Sequence, residues 1–238
     1  MDRVRPRSPK GHSSLTSPTD SAHAKDVLEG LLATLEHADD TSVADLKALI
    51  THRAMCLAAL TISCSPTMDL TKAALCHIYN RMTDQDLSQI ARVWREAPHQ
   101  GREAVSHAAS LFETIRNNHT THWSMPAYLL NAVLLLWSFS LLFDNSKITG
   151  FVAEHEESGS VSLGTAGIHG DHVREWIIHG HGRVKLPSIA NLLSWQGRRK
   201  LLEHSTTTMA GLKSWGVSKG YQQLLKRLQA SDAASRPA

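Results

Sequence analysis

The run from Pro126 to Phe143, PAYLLNAVLLLWSFSLLF, constrains this chain more than any other stretch. Only three of its eighteen residues are polar, namely Asn131, Ser138 and Ser140. Ser124 offers a side-chain oxygen just before the run, and Pro126 suits a first helical turn because the N–H groups there have no helical partners. The run is therefore predicted to form one long helix.

Two surroundings are possible for such a helix. A helix that is apolar nearly all round lies in a protein core or crosses a membrane, and eighteen residues is at the short end of the roughly 17–25 that span a bilayer. Asn131 and Ser138 are seven residues apart and share one stripe of the helix, and no basic cluster lies beside either end. The sequence favours a buried core helix, with a membrane span through 126–143 as the alternative.

The composition is typical of a soluble globular protein, because 42% of the 238 residues are hydrophobic and 20% are charged. The three cysteines, Cys56, Cys64 and Cys76, form no CxxC pair. They favour a reducing compartment and thiols that pack as small apolar side chains. The N-terminus has no apolar stretch behind its basic residues. We therefore expect no secretory signal and a location in the cytosol or nucleus.

Charge is distributed unevenly along the chain. The formal net charge is +3, but residues 1–11 sum to +3 and residues 198–238, with eight basic and two acidic groups, sum to +6. The intervening body is therefore acidic. Basic ends can attract nucleic acid or an acidic partner, yet a basic run such as the turn predicted at Arg198–Lys200 is usually a solvated face.

The order of segments predicts an all-α fold, an irregular multi-helix bundle around one central apolar helix. Residues 1–22 are rich in Ser, Pro and charge, which predicts a disordered tail. Residues 23–144 form a predicted helical core lobe, and the acidic, then Gly/Ser-rich residues 145–170 a flexible loop. Residues 171–229 are predicted to form a C-terminal helical lobe that packs on the core, followed by a disordered tail at 230–238. No stretch shows the alternation of a strand, so no sheet is expected.

Local signals predict several helix boundaries. Apolar residues at three- and four-residue spacings predict a first helix from His23 to His37. Thr83 is predicted to cap a helix from Asp84 to Glu96 that ends before Pro98, and Gly101 is predicted to open the next helix. Asp171 is predicted to cap a short helix that Gly180 closes.

The search for catalytic and metal motifs is mostly negative. The chain has no phosphate loop, GxGxxG, HExxH or paired-cysteine zinc pattern. SVSLG at Ser160–Gly164 lacks the first glycine of a nucleophile elbow. His119 and His122 have no third ligand nearby, and HGHG at His179–Gly182 suits the end of a helix, where imidazoles meet exposed carbonyls. We therefore expect no catalytic, cofactor-binding or metal-binding residues and no enzymatic activity.

Several blocks resemble a known family when they are read in order. DLSQIARVWREAPHQGREAVSHAASLFETIRNN, followed by YLLNAVLLLWSFSLLFD, resembles the second half of the fungal-specific transcription factor regulatory domain. His107-Ala108 matches an Ala/His pair in one helix of that family, and Trp137 matches the Trp near the end of its apolar helix. VREWIIHGHGRVKLPSI and LKSWGVSKGYQQLLKRL resemble its later segments, so the resemblance extends over about residues 41–229.

This resemblance implies a non-catalytic, all-helical module that acts in transcription regulation in the nucleus. Its implied partners are proteins of the transcription machinery or further copies of itself. Such modules are normally attached to a zinc-dependent DNA-binding region, but Cys56, Cys64 and Cys76 can form neither a pair of two-Cys two-His fingers nor a binuclear zinc cluster. The DNA-binding region is therefore expected to be absent, and with it any zinc in this chain. A membrane-associated protein anchored through 126–143 and an enzyme with a His-rich site stay open as alternatives.

We predict that this chain alone binds DNA weakly and without sequence preference. Sequence readout needs side chains placed against base edges by an element that fits a groove, whereas the basic groups here are dispersed over the two ends. Affinity measured on random duplexes should fall steeply as salt rises. Selection of one consensus from a random duplex pool at physiological salt would contradict this prediction.

Overall fold

A computed structural model describes residues 18–36, 43–64, 70–118, 122–144, 160–164, 170–180, 182–212 and 216–234. Most of the predicted N-terminal tail and of the predicted loop lies outside these ranges. Within them the fold is all-α, as expected, with nine helices and two short strands. In chain order these are α1 (Pro18–Glu36), α2 (Val43–Cys64), α3 (Leu70–Ile78), α4 (Asp84–Glu96), α5 (Pro98–Asn117), α6 (Met125–Asp144), β1 (Ser160–Ser162), α7 (Asp171–His179), β2 (Arg183–Lys185), α8 (Trp195–Gly211) and α9 (Val217–Ala234).

The predicted central helix is α6, and protein surrounds it. It packs against α5 and α8, and also against α2, α3 and α9. Of its apolar window from Met125 to Leu142, 83% is buried. Its two serines are satisfied inside the core, since Ser138 Oγ donates to the Leu135 carbonyl (2.9 Å) and Ser140 Oγ to the Leu192 carbonyl (2.6 Å). By length and composition alone α6 could cross a membrane, but in this fold it is a buried core helix.

The helix predicted at Asp84–Glu96 is confirmed as α4. Thr83 and Asp86 form a capping box in which Asp86 N donates to Thr83 Oγ1 (3.2 Å) and Thr83 N donates to Asp86 Oδ2 (2.8 Å). Thr83 Oγ1 also donates to Asp86 Oδ2 (2.7 Å), and this bond, together with the one from Thr83 N, lowers the pKa of the Asp86 carboxyl. The next helix begins at Pro98 and not at Gly101 as predicted, because proline suits the first turn. Gly101 instead allows close packing, since a Cβ there would lie 2.6 Å from Trp94 Cε3.

Three predicted ends are corrected by the structure. The first helix starts at Pro18, so residues 18–22 of the predicted tail are helical. The last helix continues to Ala234, so residues 230–234 of the second predicted tail are helical as well, and Asp232 within them is buried. Asp171 is the first residue of α7, whose N-cap is Gly170. Composition predicts such helix boundaries poorly, because tertiary contacts can extend a helix into a polar segment.

A small sheet, which the sequence did not predict, lies partly in the segment expected to be a flexible loop. β1 pairs in parallel with β2, with Val161 opposite Val184. Residues 160–164 are therefore structured, and Val161 and Leu163 are buried. Gly164 follows β1 with φ of +89° and packs on α5, where a Cβ would lie 2.8 Å from Glu113 Cγ. Strands of three residues are too short to show an alternating pattern.

One hydrophobic core joins the N-terminal and C-terminal helices within the described ranges. Its buried residues run from Leu32 in α1 to Leu228 in α9. Phe139 of α6 contacts both sides, with ring centroids 5.1 Å from Trp94 and 6.1 Å from Trp176. The C-terminal helices thus pack on the same central helix as the N-terminal ones.

The burial of α6 gives a direct test of this architecture. Leu135 has no exposed surface, so Leu135→Asp would place an unpaired carboxylate in the core at a cost of several kcal/mol, a large part of the roughly 5–15 kcal/mol that stabilises a typical domain. We expect loss of the cooperative thermal transition in circular dichroism. Leu31→Asp on α1, where the side chain is 50% exposed, is the matched control and should keep that transition. A wild-type melting temperature for Leu135→Asp would contradict the core position of α6.

Candidate functional site

The histidines and the serine singled out in the sequence do not form one site in the described part of the chain. His122 is half-buried, with Nδ1 2.6 Å from Ser124 Oγ. His179 lies in the last turn of α7, which Gly180 closes in the left-handed conformation (φ 75°). Ser160 is exposed on β1, and His119 and His181 lie outside the described residues. Two other sets of polar side chains do lie close together, one around Asp232 and one around Cys64.

A buried ion pair joins α8 to α9. Arg198 Nε donates to Asp232 Oδ1 at 2.7 Å, and the two side chains are 5% and 2% exposed. Trp195 Nε1 donates to the Asp232 carbonyl (3.2 Å), and Arg198 Nη1 lies 3.5 Å from the Ser140 carbonyl of α6. The prediction that Arg198 belongs to a solvated basic turn is therefore wrong. Ser194 caps α8 one residue before Trp195, which places Arg198 inside the first turns of a helix packed on α9.

His77 of α3 lies beside this ion pair. Its Nε2 is 3.9 Å from Asp232 Oδ1, and its ring packs edge-on against Trp137 with centroids 5.2 Å apart. Burial lowers the pKa of His77, Asp232 opposes that shift, and Arg198 adds to it. Ser231 Oγ donates to the main-chain carbonyl of His77 (2.9 Å), whereas a catalytic triad needs a hydroxyl on the imidazole. This arrangement holds α3, α8 and α9 together.

A second cluster, between α2 and α5, brings together three side chains of types that bind metals. One donor atom each from Cys64, Glu103 and His107 lies within 4.8 Å of the other two. Cys64 and His107 are 6% and 0% exposed. Lys25 Nζ lies 2.6 Å from Glu103 Oε1 at the half-exposed side of the cluster. The expectation that the thiols are only apolar packing groups is thus incomplete for Cys64, whose neighbours are a carboxylate and an imidazole.

Burial is the main reason why the pKa of the Cys64 thiol rises to about 12. The negative charge of Glu103 raises this pKa further, and Lys25 lowers it. The thiol is therefore protonated at neutral pH and hydrogen bonded to the Glu103 side chain. Such a thiol is a poor nucleophile, because the thiolate is the reactive form.

Exposed apolar side chains are concentrated on α1 and α2. Five of the ten large hydrophobic residues that are exposed in the described ranges lie on these two helices: Val27 (48%), Leu31 (50%), Leu46 (46%), Met55 (41%) and Ile62 (57%). Val27 and Leu31 are one turn apart on α1, and Met55 and Ile62 are two turns apart on α2, so each pair shares a helix face, whereas Leu46 lies nine residues before Met55 on the opposite face of α2. We call Val27, Leu31, Met55 and Ile62 the α1–α2 apolar edge. α2 also has an apolar window, Asp45–Cys64, that is long enough to span a membrane by length and composition, but only 28% of it is buried. Apolar side chains that share a stripe on neighbouring helices are candidates for a binding surface.

A shallow groove lies between α3 and α9. Leu75, Ile78, Tyr79, Leu224 and Arg227 are among its lining residues, and its volume is about 190 Å³. Sites for small organic ligands usually enclose about 300–1,000 Å³. The groove is thus small for an effector of that class.

Comparisons with protein families, with curated proteins and with solved structures found no match for this chain.

The Arg198–Asp232 pair predicts an unequal response to single and double substitution. Asp232→Ala should cost about 3–5 kcal/mol of unfolding free energy, because it leaves a guanidinium buried without its counter-charge. The double variant Arg198→Met with Asp232→Leu should recover most of that loss, since apolar side chains of similar size can replace a buried pair. Urea unfolding followed by tryptophan fluorescence measures both, with exposed Lys200→Ala as the control. An Asp232→Ala variant as stable as the wild type would show that the pair is not buried in solution.

Proposed function

We propose that this chain is a non-catalytic helical regulatory module of a fungal transcription factor, which acts in the nucleus through protein–protein contacts. Its resemblance to the fungal-specific regulatory domain supports this class. The observation that carries the proposal is the α1–α2 apolar edge. A module that works by binding needs exposed apolar side chains whose burial by a partner is favourable.

The burial of two similar helices supports this choice of surface. α2 and α6 are both long and apolar, yet 28% of the window in α2 is buried against 83% in α6. Scattered single apolar residues on a surface need no explanation, whereas their concentration on neighbouring helices indicates an interaction site. α1 packs mainly on α2, whereas α2 packs on α5 as well as on α1 and also contacts α6, so α1 has one main neighbour among the described helices.

The charges around the edge favour a protein partner over a lipid surface. Exposed Asp26 and Asp45 lie on the same two helices as exposed Lys47, and Lys25 and Glu29 form an ion pair on α1 with N–O distance 3.9 Å. Helices that lie on membranes carry mainly basic residues on their polar face, because the headgroups of many membranes are anionic. An apolar centre with a rim of both signs is the usual anatomy of a protein interface.

The partners that this proposal names are proteins of the transcription machinery or a second copy of the chain. DNA contact is limited to weak phosphate attraction. The proposal assigns no turnover, since the buried thiol is protonated and the serine near His77 bonds a carbonyl and not the ring.

The proposal predicts that charge on the edge abolishes regulation without unfolding the chain. Leu31→Glu and Met55→Glu should weaken partner binding about tenfold or more each, because a carboxylate covered by the partner without a counter-charge costs more than the roughly 1.4 kcal/mol that a tenfold change requires. Each variant is fused to an unrelated DNA-binding domain and its effect on a reporter gene is measured, with light scattering to measure self-association. Ile178→Glu, on a 54% exposed side chain of α7, is the matched control.

Three outcomes separate the alternatives. Loss of both reporter effect and dimer identifies a second copy as the occupant, and loss of the reporter effect alone identifies a different protein. Edge variants that regulate like the wild type would contradict the proposal. Edge-dependent flotation with anionic lipid vesicles would favour the membrane-associated alternative.

A further inference from the structure

The cluster of Cys64, Glu103 and His107 has the donor set of a transition-metal site. Cys64 is the last residue of α2, while Glu103 and His107 are four residues apart on α5 and so lie on one face of that helix. α2 packs along α5, which brings the thiol over the other two groups. A thiol, a carboxylate and an imidazole thus approach one another from two rigid helices.

The spacing of the donor atoms is close to that of a tetrahedral centre. Zinc bonds of about 2.3 Å to sulfur and about 2.0–2.2 Å to nitrogen and oxygen place two ligands of one ion about 3.4–3.6 Å apart. The three donor atoms here lie within 4.8 Å of one another. The widest separation therefore exceeds the tetrahedral range by about 1 Å, a difference of the size that side-chain rotation covers.

The ligand types select the metal. Thiolate sulfur disfavours Mg²⁺ and Ca²⁺, which prefer oxygen, whereas sulfur with imidazole and one carboxylate suits Zn²⁺. Thiolate and carboxylate together also balance the two positive charges of that ion. We propose that Cys64, Glu103 and His107 bind one zinc ion between α2 and α5.

Lys25 has a defined place in this site. Its Nζ lies 2.6 Å from Glu103 Oε1, so the ammonium bonds one carboxylate oxygen, and the other can bind the metal once the Cys64 thiol gives up its proton and its hydrogen bond to Glu103. A hydrogen-bonded partner behind a ligand fixes the orientation of that ligand. The side chains of Lys25 and Glu103 are 32% and 16% exposed, so this side is the route by which the ion enters and a water molecule completes four ligands.

Proton balance follows from the protonated thiol. Binding breaks the S–H bond of Cys64 and forms a Zn–S bond, and the proton leaves to solvent past the partly exposed Glu103 carboxylate. No oxidant or reductant takes part.

The sequence alone led to the expectation of no zinc in this chain, and the proposal differs from it because the three ligands come together only in the fold. The observations that support it are separate from those that support the α1–α2 apolar edge.

The test uses the full, untagged chain kept reduced with a phosphine. After dialysis against zinc and then against metal-free buffer, elemental analysis should find one zinc per wild-type chain. Cys64→Ser and His107→Gln should lose that zinc, and Glu103→Gln should bind at least tenfold more weakly. Cys56→Ser and His122→Gln change the same residue types outside the cluster and should retain it.

A spectroscopic measurement on the wild type keeps the proposal testable if a core variant fails to fold. Co²⁺ in place of zinc should give the near-ultraviolet charge-transfer band of a cobalt–thiolate bond, and X-ray absorption at the zinc edge should show one sulfur among the neighbours of the ion. Absence of the band and of the sulfur would overturn the proposal. Zinc retained equally by Cys64→Ser and Cys56→Ser would do the same, since it would place the metal on histidines elsewhere.

Discussion

The burial of α6 is the constraint on which the rest of this structure depends. A helix with apolar residues on every side must be covered on every side, and α5, α8, α2, α3 and α9 together supply that cover. Its few polar groups must also find partners away from water. Ser140 does so through the Leu192 carbonyl, and its own carbonyl lies near Arg198, so the C-terminal helices are tied to the central helix by polar contacts as well as by packing.

Local sequence signals predicted those features whose cause is local. The cap at Thr83 and the extent of α6 follow from neighbouring residues, and both agree with the structure. β1 was missed because three residues carry no period, and the last turn of α9 was missed because Asp232 there looks like a solvated charge. Its partner, Arg198, lies 34 residues earlier, and no local pattern links the two.

The candidate sites were hidden for the same physical reason. Glu103 and His107 share a helix face and could be paired from the sequence, but Cys64 reaches them only because α2 packs on α5. The sequence likewise shows that α2 is apolar without showing how much of it is covered. An apolar pattern predicts that a face will be buried against something, and only the fold shows that the neighbours in the chain leave much of α2 uncovered.

The cluster and the α1–α2 apolar edge share helix α2, and the ion pair of Lys25 with Glu103 joins the cluster to α1, so the two sites are physically connected. Lys25 is on α1, two residues before Val27 of the edge, and its ion pair with Glu103 connects α1 directly to α5. A zinc ion bound to Glu103 would act on that pair, and any resulting change in the position of α1 would change the edge. Because binding free energies are reciprocal, a partner on the edge would then alter zinc affinity by the same factor. The sign of that coupling would follow from whether the metal strengthens or weakens the Lys25–Glu103 contact.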